Sequence, residues 1–544
     1  MTYAITVLSL VAAGLALLDL LRLRTGHALP DAALGWLVGS GWLAAVAPAL
    51  RFALGVPLGR PALAALILAP IVACGALRLR ARARAANAAS GVAPSPQPSP
   101  PAGEREVGAA QLPSPAGERE VGAAQLPSPV DESEVGSSEM GTRARWIPRP
   151  LWLFAPIALY VVVVLAAVLL HGTNTPTNTD DGVRVRAFAP MLAFDDGWNP
   201  AARGIFAQAA PLATFVPAVA WIATGAVDHF HVNYFVLTEL VALLALAIGL
   251  GVARGSPERG WAGAFAVLSL PLFVYHCTST YSDAILAMRV GGAILFAVEY
   301  ARGRDRADLS RALLLLGFAA LVKREGELVA AAPAAVLLAQ AAWERWRGGQ
   351  PLPWRAAALL VAPGLVAAIG KVAALGVAGA FPMLGFVFQQ AAEAAGAGAG
   401  APRAPGLAAE AAGIFFDDSL FRSGNQGMLY WILVAVLVVR ARALLRGELV
   451  WPLLAVGALF AEVAVSSIVL TPQFTLDQST VNRALIVASV PVALWVAAAV
   501  VEAVRAEALA ETDAPADGPR ARGGEGDEPA TPPRRRRSRR ASRR

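Results

Sequence analysis

Apolar runs of about 17–25 residues recur along this chain, and that is the length an α-helix needs to cross a hydrocarbon core of roughly 30 Å. Candidate spans are 2–21, 31–50, 61–77, 151–170, 232–252, 261–277, 284–301, 310–322, 327–342, 354–379, 428–440, 449–470 and 484–504. The runs lack the strict alternation of lipid-facing and lumen-facing residues that barrel strands show. The expected fold is therefore all-α, a polytopic integral membrane protein with about 13 transmembrane helices. A composition 56% hydrophobic and only 16% charged excludes an ordinary soluble domain. Runs 310–322, 327–342 and 428–440 are short, which suits tilted or broken helices.

The cations orient the chain. Arg22/Arg24, Arg78–Arg84, Arg143–Arg149, Arg254/Arg259, Arg302–Arg311, Arg345/Arg347, Arg440–Arg446 and the C-terminal tail all fall on one side of these spans. By the positive-inside rule that side is cytoplasmic, which places the N-terminus outside and the C-terminus inside the cytoplasmic (inner) membrane of the cell. The net charge of +7 reports this asymmetry, and no nucleic-acid partner is expected. The first span lacks a basic leader, so no cleavable signal peptide is expected. Cys74 and Cys277 fall at opposite ends of their spans, about 30 Å apart in depth, too far for a disulfide.

Four segments follow from composition: an N-terminal three-helix membrane segment at 1–77, a polar linker at 78–149, a helical body at 150–505 and a basic tail at 506–544. Within the linker "AGEREVGAAQLPSP" occurs at 102–115 and again, unchanged, at 116–129. A repeat rich in Pro, Gly, Ser and Glu cannot bury a core and reads as a disordered cytoplasmic linker. The tail ends "RRRRSRRASRR", a charge run that orients the chain and can meet anionic membrane lipids.

On this topology the polar clusters that are costly beside a bilayer share the external face. "NTDDGVRVRAF" (178–188) carries Asp180, Asp181, Arg184 and Arg186. "CTSTYSDA" (277–284) carries Tyr281 and Asp283. "ALVKREGELVA" (320–330) carries Lys323, Arg324 and Glu325, and "TLDQSTVNRAL" (475–485) carries Arg483. Lys323 and Lys371 are the only lysines, against forty-four arginines. Segment 205–225 begins and ends outside, so it is expected to lie along the interface as an interfacial helix. Plainer structural readings exist for each group. Asp-Asp-Gly makes turns and N-caps, Asp283 suits a helix N-terminus, Lys323 with Glu325 and Glu327 makes a self-neutralising cluster, and Lys371 can snorkel. His229 and His231 near Asp228 are too thin a signal for a metal, and no cofactor is expected.

These segments resemble, in order, those of the GT-C glycosyltransferases over roughly 151–505. The Asp-led loop after a span looks like their first external loop, and "TSTYSDAILAM" is similar to their Y-A-D-x-x-L-A segment. "GFAALVKREGELVA" is similar to G-x-x-A-L-T-K-x-E-G-L, and "TVNRALIVASVP" to the late R-x-L-x-x-x-x-P segment. The resemblance extends to the lipid A aminoarabinose, protein O-mannosyl and lipopolysaccharide-core transferases. It implies a GT-C-like body with external loops. It also implies transfer of a sugar from a polyprenyl-phosphate donor to an extracytoplasmic glycan, lipid or protein acceptor. Asp181 then matches the catalytic base, and Lys323, Arg324 and Arg483 become candidates for holding the departing lipid phosphate. Asp180, Arg184, Arg186, Tyr281, Asp283 and Glu325 join them as substrate-binding candidates. Where bacterial relatives follow the Asp with tryptophans and a lysine, this chain has Val183, Arg186 and Ala189. A transporter or flippase of lipid-linked glycans and an inactive GT-C-like scaffold are the rival readings.

The topology carries a direct expectation. Reporter fusions at Gly117 and Gly182 should mark opposite compartments, and the same compartment for both would remove the basis for placing the polar clusters together.

Overall fold

The computed structural model describes residues 2–89, 155–174, 211–225, 230–279, 281–323, 325–348, 353–380, 406–470, 475–476 and 479–513. Sixteen α-helices account for nearly all of them. In chain order these are α1 (Thr2–Leu20), α2 (Ala28–Pro48), α3 (Arg60–Ala89), α4 (Ala155–Asn174), α5 (Pro211–Thr224), α6 (Phe230–Ala253), α7 (Pro257–Leu268) and α8 (Pro271–Cys277). There follow α9 (Ser282–Gly303), α10 (Arg306–Ala319), α11 (Gly326–Gly348), α12 (Trp354–Ala380), α13 (Leu407–Gly413), α14 (Leu429–Arg446), α15 (Val450–Val465) and α16 (Ser479–Asp513). Contacts divide the chain into Met1–Val501 and Glu502–Arg544, and the described residues of the second unit, 502–513, are helical. The three helices of 1–77 lie in the same unit as the helices of 150–501.

Ten of the described helices are long and apolar enough to cross a membrane, or eleven if α7 and α8, bent by 82° at their junction, form one broken span. The protein is therefore a multi-pass membrane protein, and its described residues hold fewer such helices than the thirteen expected. Helix α10 has 14 residues, about 21 Å of rise, short of a 30 Å core. Helix α14 carries Arg440, Arg442 and Arg446, which leaves too short an uncharged stretch. Pro271 restarts the chain after the turn at Ser269–Leu270 and so breaks α7 from α8. Segment 205–225 also departs from expectation. Its described part, α5, is packed inside, with Leu212, Thr214, Phe215 and Trp221 buried. An interfacial helix needs a charged face to leave in water, and α5 has no charged residue at all.

Burial separates an inner layer from an outer one. Within the spanning windows, 94% of α9 is buried inside the protein, against 17% of α4 and 22% of α3 and α12. Helices α2, α6 and α16 accompany α9 in the centre, and the outer helices present their apolar side chains to lipid. Backbones can approach closely where the sequence supplies small residues. A Cβ on Gly14 would stand 1.8 Å from the carbonyl oxygen of Gly35, and one on Gly39 2.0 Å from that of Leu10. The Gly35-x-x-x-Gly39 spacing thus lets α1 lie directly on α2.

One ion pair sits in the middle of this centre. Glu239 of α6 and Arg289 of α9 are both fully buried, 2.6 Å apart. Arg289 also donates to Ser40 Oγ at 2.6 Å and to the Leu37 carbonyl at 2.8 Å, tying both helices to α2. Neither residue stood out in the sequence, although Glu239 is the only charged side chain in the apolar run 232–252 and Arg289 shares 284–301 only with Glu299 near its end.

The arginine-rich helix ends meet at one end of the bundle. There Arg254 pairs with Asp308 at 2.7 Å, Arg259 with Glu299, and Arg24 with Asp19 at 3.0 Å. Arg311 pairs with Asp308 and donates to the carbonyls of Leu23 and Arg24. Helices α9 and α10 run from and to the opposite end, where their polar termini are Asp283 and the turn containing Lys323.

Removing one member of the central pair strands the other in an apolar interior, which costs about 3–5 kcal/mol for buried pairs, whereas an apolar pair of similar volume is often neutral. Arg289→Met should therefore destabilise the purified protein strongly, and Glu239→Leu added to it should recover most of the loss. Thermal unfolding of the single and double variants in detergent checks this, and equal losses in both would refute the pairing argument.

Candidate functional site

Helix α9 begins at Ser282 after Tyr281, which has extended backbone, so Asp283 falls in the first helical turn. A carboxylate is favoured there by the partial positive charge of the helix start. The next element, α10, returns to the same end and closes in a tight turn. Gly326 N–H donates to the Lys323 carbonyl at 2.9 Å, and a Cβ on Gly326 would come within 2.7 Å of the Ala319 carbonyl oxygen. Glycine at 326 therefore lets α11 start against the end of α10 and fixes Lys323 at its corner. Helix α16 supplies Arg483 from its first turns.

These three elements bring one carboxylate and two cations together. Lys323 Nζ lies 2.7 Å from Asp283 Oδ1, while Arg483 reaches Asp283 Oδ2 through both Nε and Nη2 at 3.0 Å. The two cations are separated by 160 residues in sequence and converge on the two oxygens of one side chain. The Arg483 guanidinium also lies over the Tyr281 ring, 4.6 Å from its centroid. Tyr281 stacks in turn on His276, with centroids 4.2 Å apart.

Exposure decides what this arrangement presents. The Asp283 side chain is 3% exposed, but Lys323 retains 23% and Arg483 28%. The carboxylate is thus the buried anchor and the cations form the outer surface. One negative charge under two positive ones leaves the group a net cation, which attracts phosphate or carboxylate oxygens.

A second set of charges lies beside the first. Lys323 is 3.9 Å from Glu325, and Glu325 faces Glu462 of α15 closely enough for the two carboxylates to act on each other. Lys371 of α12 lies 3.9 Å from Glu327 at the start of α11. Lys371 therefore reaches from α12 to the corner that Lys323 itself occupies. Lys323 is held chiefly by Asp283 rather than by a local cluster with Glu325 and Glu327.

Among the candidates from the sequence, Tyr281, Asp283, Lys323 and Arg483 are in mutual contact, and Glu325 adjoins them. Asp180, Asp181, Arg184, Arg186 and Arg324 lie outside the described residues, as do Asp228 and His229. His276 and Glu462 were not anticipated. His276 directly precedes the polar string 277–284 that contains Tyr281, and was legible as a neighbour only through the turn between α8 and α9. Glu462 is a lone acid in an apolar helix, a signal of the same kind as Glu239. Among the described residues no group of three or more His, Cys, Asp or Glu side chains could hold a metal ion.

No protein-family model, no curated protein and no solved structure matches this chain. The reading of the site rests on its own geometry.

Because Asp283 neutralises two cations, losing its charge should be worse than losing either partner. Asp283→Asn should lower stability by about 3 kcal/mol, the scale for breaking a buried pair. Lys323→Met and Arg483→Met should each cost less, since the other cation still satisfies the carboxylate. Unfolding of the three variants in one detergent gives the ranking. A milder effect of Asp283→Asn than of both methionine variants would show that the carboxylate is not the anchor.

Proposed function

We propose that this protein is a membrane glycosyltransferase that moves a sugar from a polyprenyl-phosphate donor to a glycan, lipid or protein acceptor on the extracytoplasmic side of the cytoplasmic membrane. The observation that carries the reading is the pair of partly exposed cations, Lys323 and Arg483, held side by side on the buried Asp283 carboxylate. A reaction whose leaving group is a lipid phosphate needs positive donors fixed in advance at the membrane surface, where charge develops as the bond breaks. The order of segments resembling GT-C glycosyltransferases supports the same class, and reading the arginine-rich end as cytoplasmic favours an outer-face position for the cation pair.

In this proposal the acceptor hydroxyl oxygen attacks the anomeric carbon and the carbon–oxygen bond to phosphate breaks. The phosphate leaves with the bonding electrons, paired to Lys323 and Arg483. The hydroxyl proton passes to a carboxylate, a role assigned from the sequence to Asp181, with Asp180, Arg184 and Arg186 near it in sequence as substrate-binding candidates. One displacement of this kind inverts the anomeric centre. Asp283 has no part as a base, because both of its oxygens are occupied by cations. Tyr281 fixes the Arg483 plane, and Glu325 limits the charge around Lys323.

A transporter of lipid-linked glycans is the second reading, and the buried Glu239–Arg289 pair favours it, since charges deep in a helical bundle often line a transport route. The pair's hydrogen bonds to the Ser40 side chain and the Leu37 backbone supply a structural role instead.

The test is mass-spectrometric profiling of glycolipids in a deletion strain complemented with variants. Asp181→Asn should lower transfer about a hundredfold while donor binding survives. Lys323→Ala and Arg483→Ala should each weaken donor binding by roughly 1.5–3 kcal/mol, as expected for a lost charge-assisted contact. Unchanged donor affinity in stable Lys323→Ala and Arg483→Ala proteins would defeat the proposal. Net movement of intact donor across proteoliposomes without bond cleavage would establish the transporter.

A further inference from the structure

At the arginine-rich end, five helix termini leave a cleft of about 620 Å³, a volume suited to a small-molecule ligand. The ends of α9, α11 and α14 and the starts of α10 and α15 surround it. Four arginines line it, Arg304, Arg306, Arg347 and Arg446, and among the described lining residues Glu344 is the one acid. That acid is already engaged by Arg304, by the Tyr300 hydroxyl at 2.5 Å and by Gln340 at 3.0 Å. The Arg347 guanidinium lies over the Trp343 ring, 4.5 Å from its centroid. The cleft therefore has a positive excess, with one of its cations fixed in place.

Two further observations indicate what such a cleft meets. Trp343, Trp346 and Trp354, at this level of the bundle, are 40%, 75% and 74% exposed. Exposed tryptophans in a membrane protein collect at the headgroup level, where an amphipathic ring is most stable. The same lining includes the apolar Leu309, Leu445 and Val450, and Leu445 is 70% exposed. Cations and an exposed leucine lining one cleft at headgroup depth fit a ligand that is anionic at one end and hydrocarbon at the other.

We infer that this cleft binds the phosphate group of an anionic membrane phospholipid, with Arg347 and Arg446 among its donors and the acyl chains leaving past Leu445. The site is at the opposite end of the bundle from Lys323 and Arg483 and does not depend on the proposed transfer reaction. Its consequence is structural. A phosphate drawn between α11, α14 and α15 neutralises the arginine-rich ends of α11 and α14 and ties α14, the helix with few buried residues, to the bundle.

The test uses the full-length protein in nanodiscs of phosphatidylcholine with or without phosphatidylglycerol. Native mass spectrometry reads retained lipid, and thermal unfolding reads stabilisation. Wild type should retain phosphatidylglycerol in preference to phosphatidylcholine. In Arg347→Gln/Arg446→Gln that preference should fall about thirtyfold, since each arginine near anionic lipid is worth roughly a factor of five. The control Arg82→Gln/Arg84→Gln, with two exposed arginines of the same end outside the cleft, should keep it. If the double variant is not recovered, Arg446→Gln alone should still show about a fivefold loss. Equal retention in cleft variants and wild type, or equal loss in the control, would overturn the site in favour of diffuse surface charge. Stabilisation by glycerol phosphate in detergent matching that by phosphatidylglycerol would overturn the lipid as ligand in favour of a soluble phosphate.

Discussion

The Glu239–Arg289 pair is the contact around which the inner layer is organised. Two opposite charges in an apolar interior can be tolerated only if each is the other's partner, because no water is there to replace it. The register of α6 against α9 is therefore constrained to the position in which the two side chains meet. Arg289 extends that constraint to α2 through Ser40 and the Leu37 carbonyl. With three of the central helices locked in depth, their ends are also placed. Asp283, two turns before Arg289 on the same helix, is thereby set at one end of the bundle, and Glu299 at the other.

The two ends then differ in how they use charge. At the arginine-rich end several cations are matched to carboxylates or to backbone carbonyls, and Arg311 staples loop 20–24 to α10. At the Asp283 end the balance is reversed, with one buried carboxylate holding two cations that keep part of their surface open. Stapling buries charge and spends its hydrogen bonds internally, whereas the Asp283 arrangement holds cations in position for something else. That contrast, rather than the number of charges, separates a structural ion network from a binding surface.

Much of the helical order was legible in the chain. Long apolar runs must satisfy their backbone hydrogen bonds internally in a bilayer, so helix follows from composition and length. The polar strings "TSTYSDA", "ALVKREGELVA" and "TVNRAL" stood out because charges at such positions need partners, and their grouping at one end followed from counting helices. What was not legible were lengths at the margin and faces. The 14-residue α10 and the arginine-bearing α14 both scan as spans by hydropathy, but neither has the uncharged length to serve as one. Helix α5 scanned as interfacial from where its ends fell, and packing placed it inside because it has no face for water.

The sequence by itself determined that this is an all-helical, multi-pass membrane chain with arginines gathered toward one end and a few costly polar clusters toward the other. Local composition is sufficient for that, since each helix and each charge carries its own energetic demand. Only the tertiary structure decided which charges answer one another. Lys323 chose Asp283 over its near neighbours Glu325 and Glu327, and Arg483 met the same carboxylate from 200 residues away. Pairing depends on the register and rotation of helices distant in sequence, and those are set by close backbone contacts and by the central ion pair.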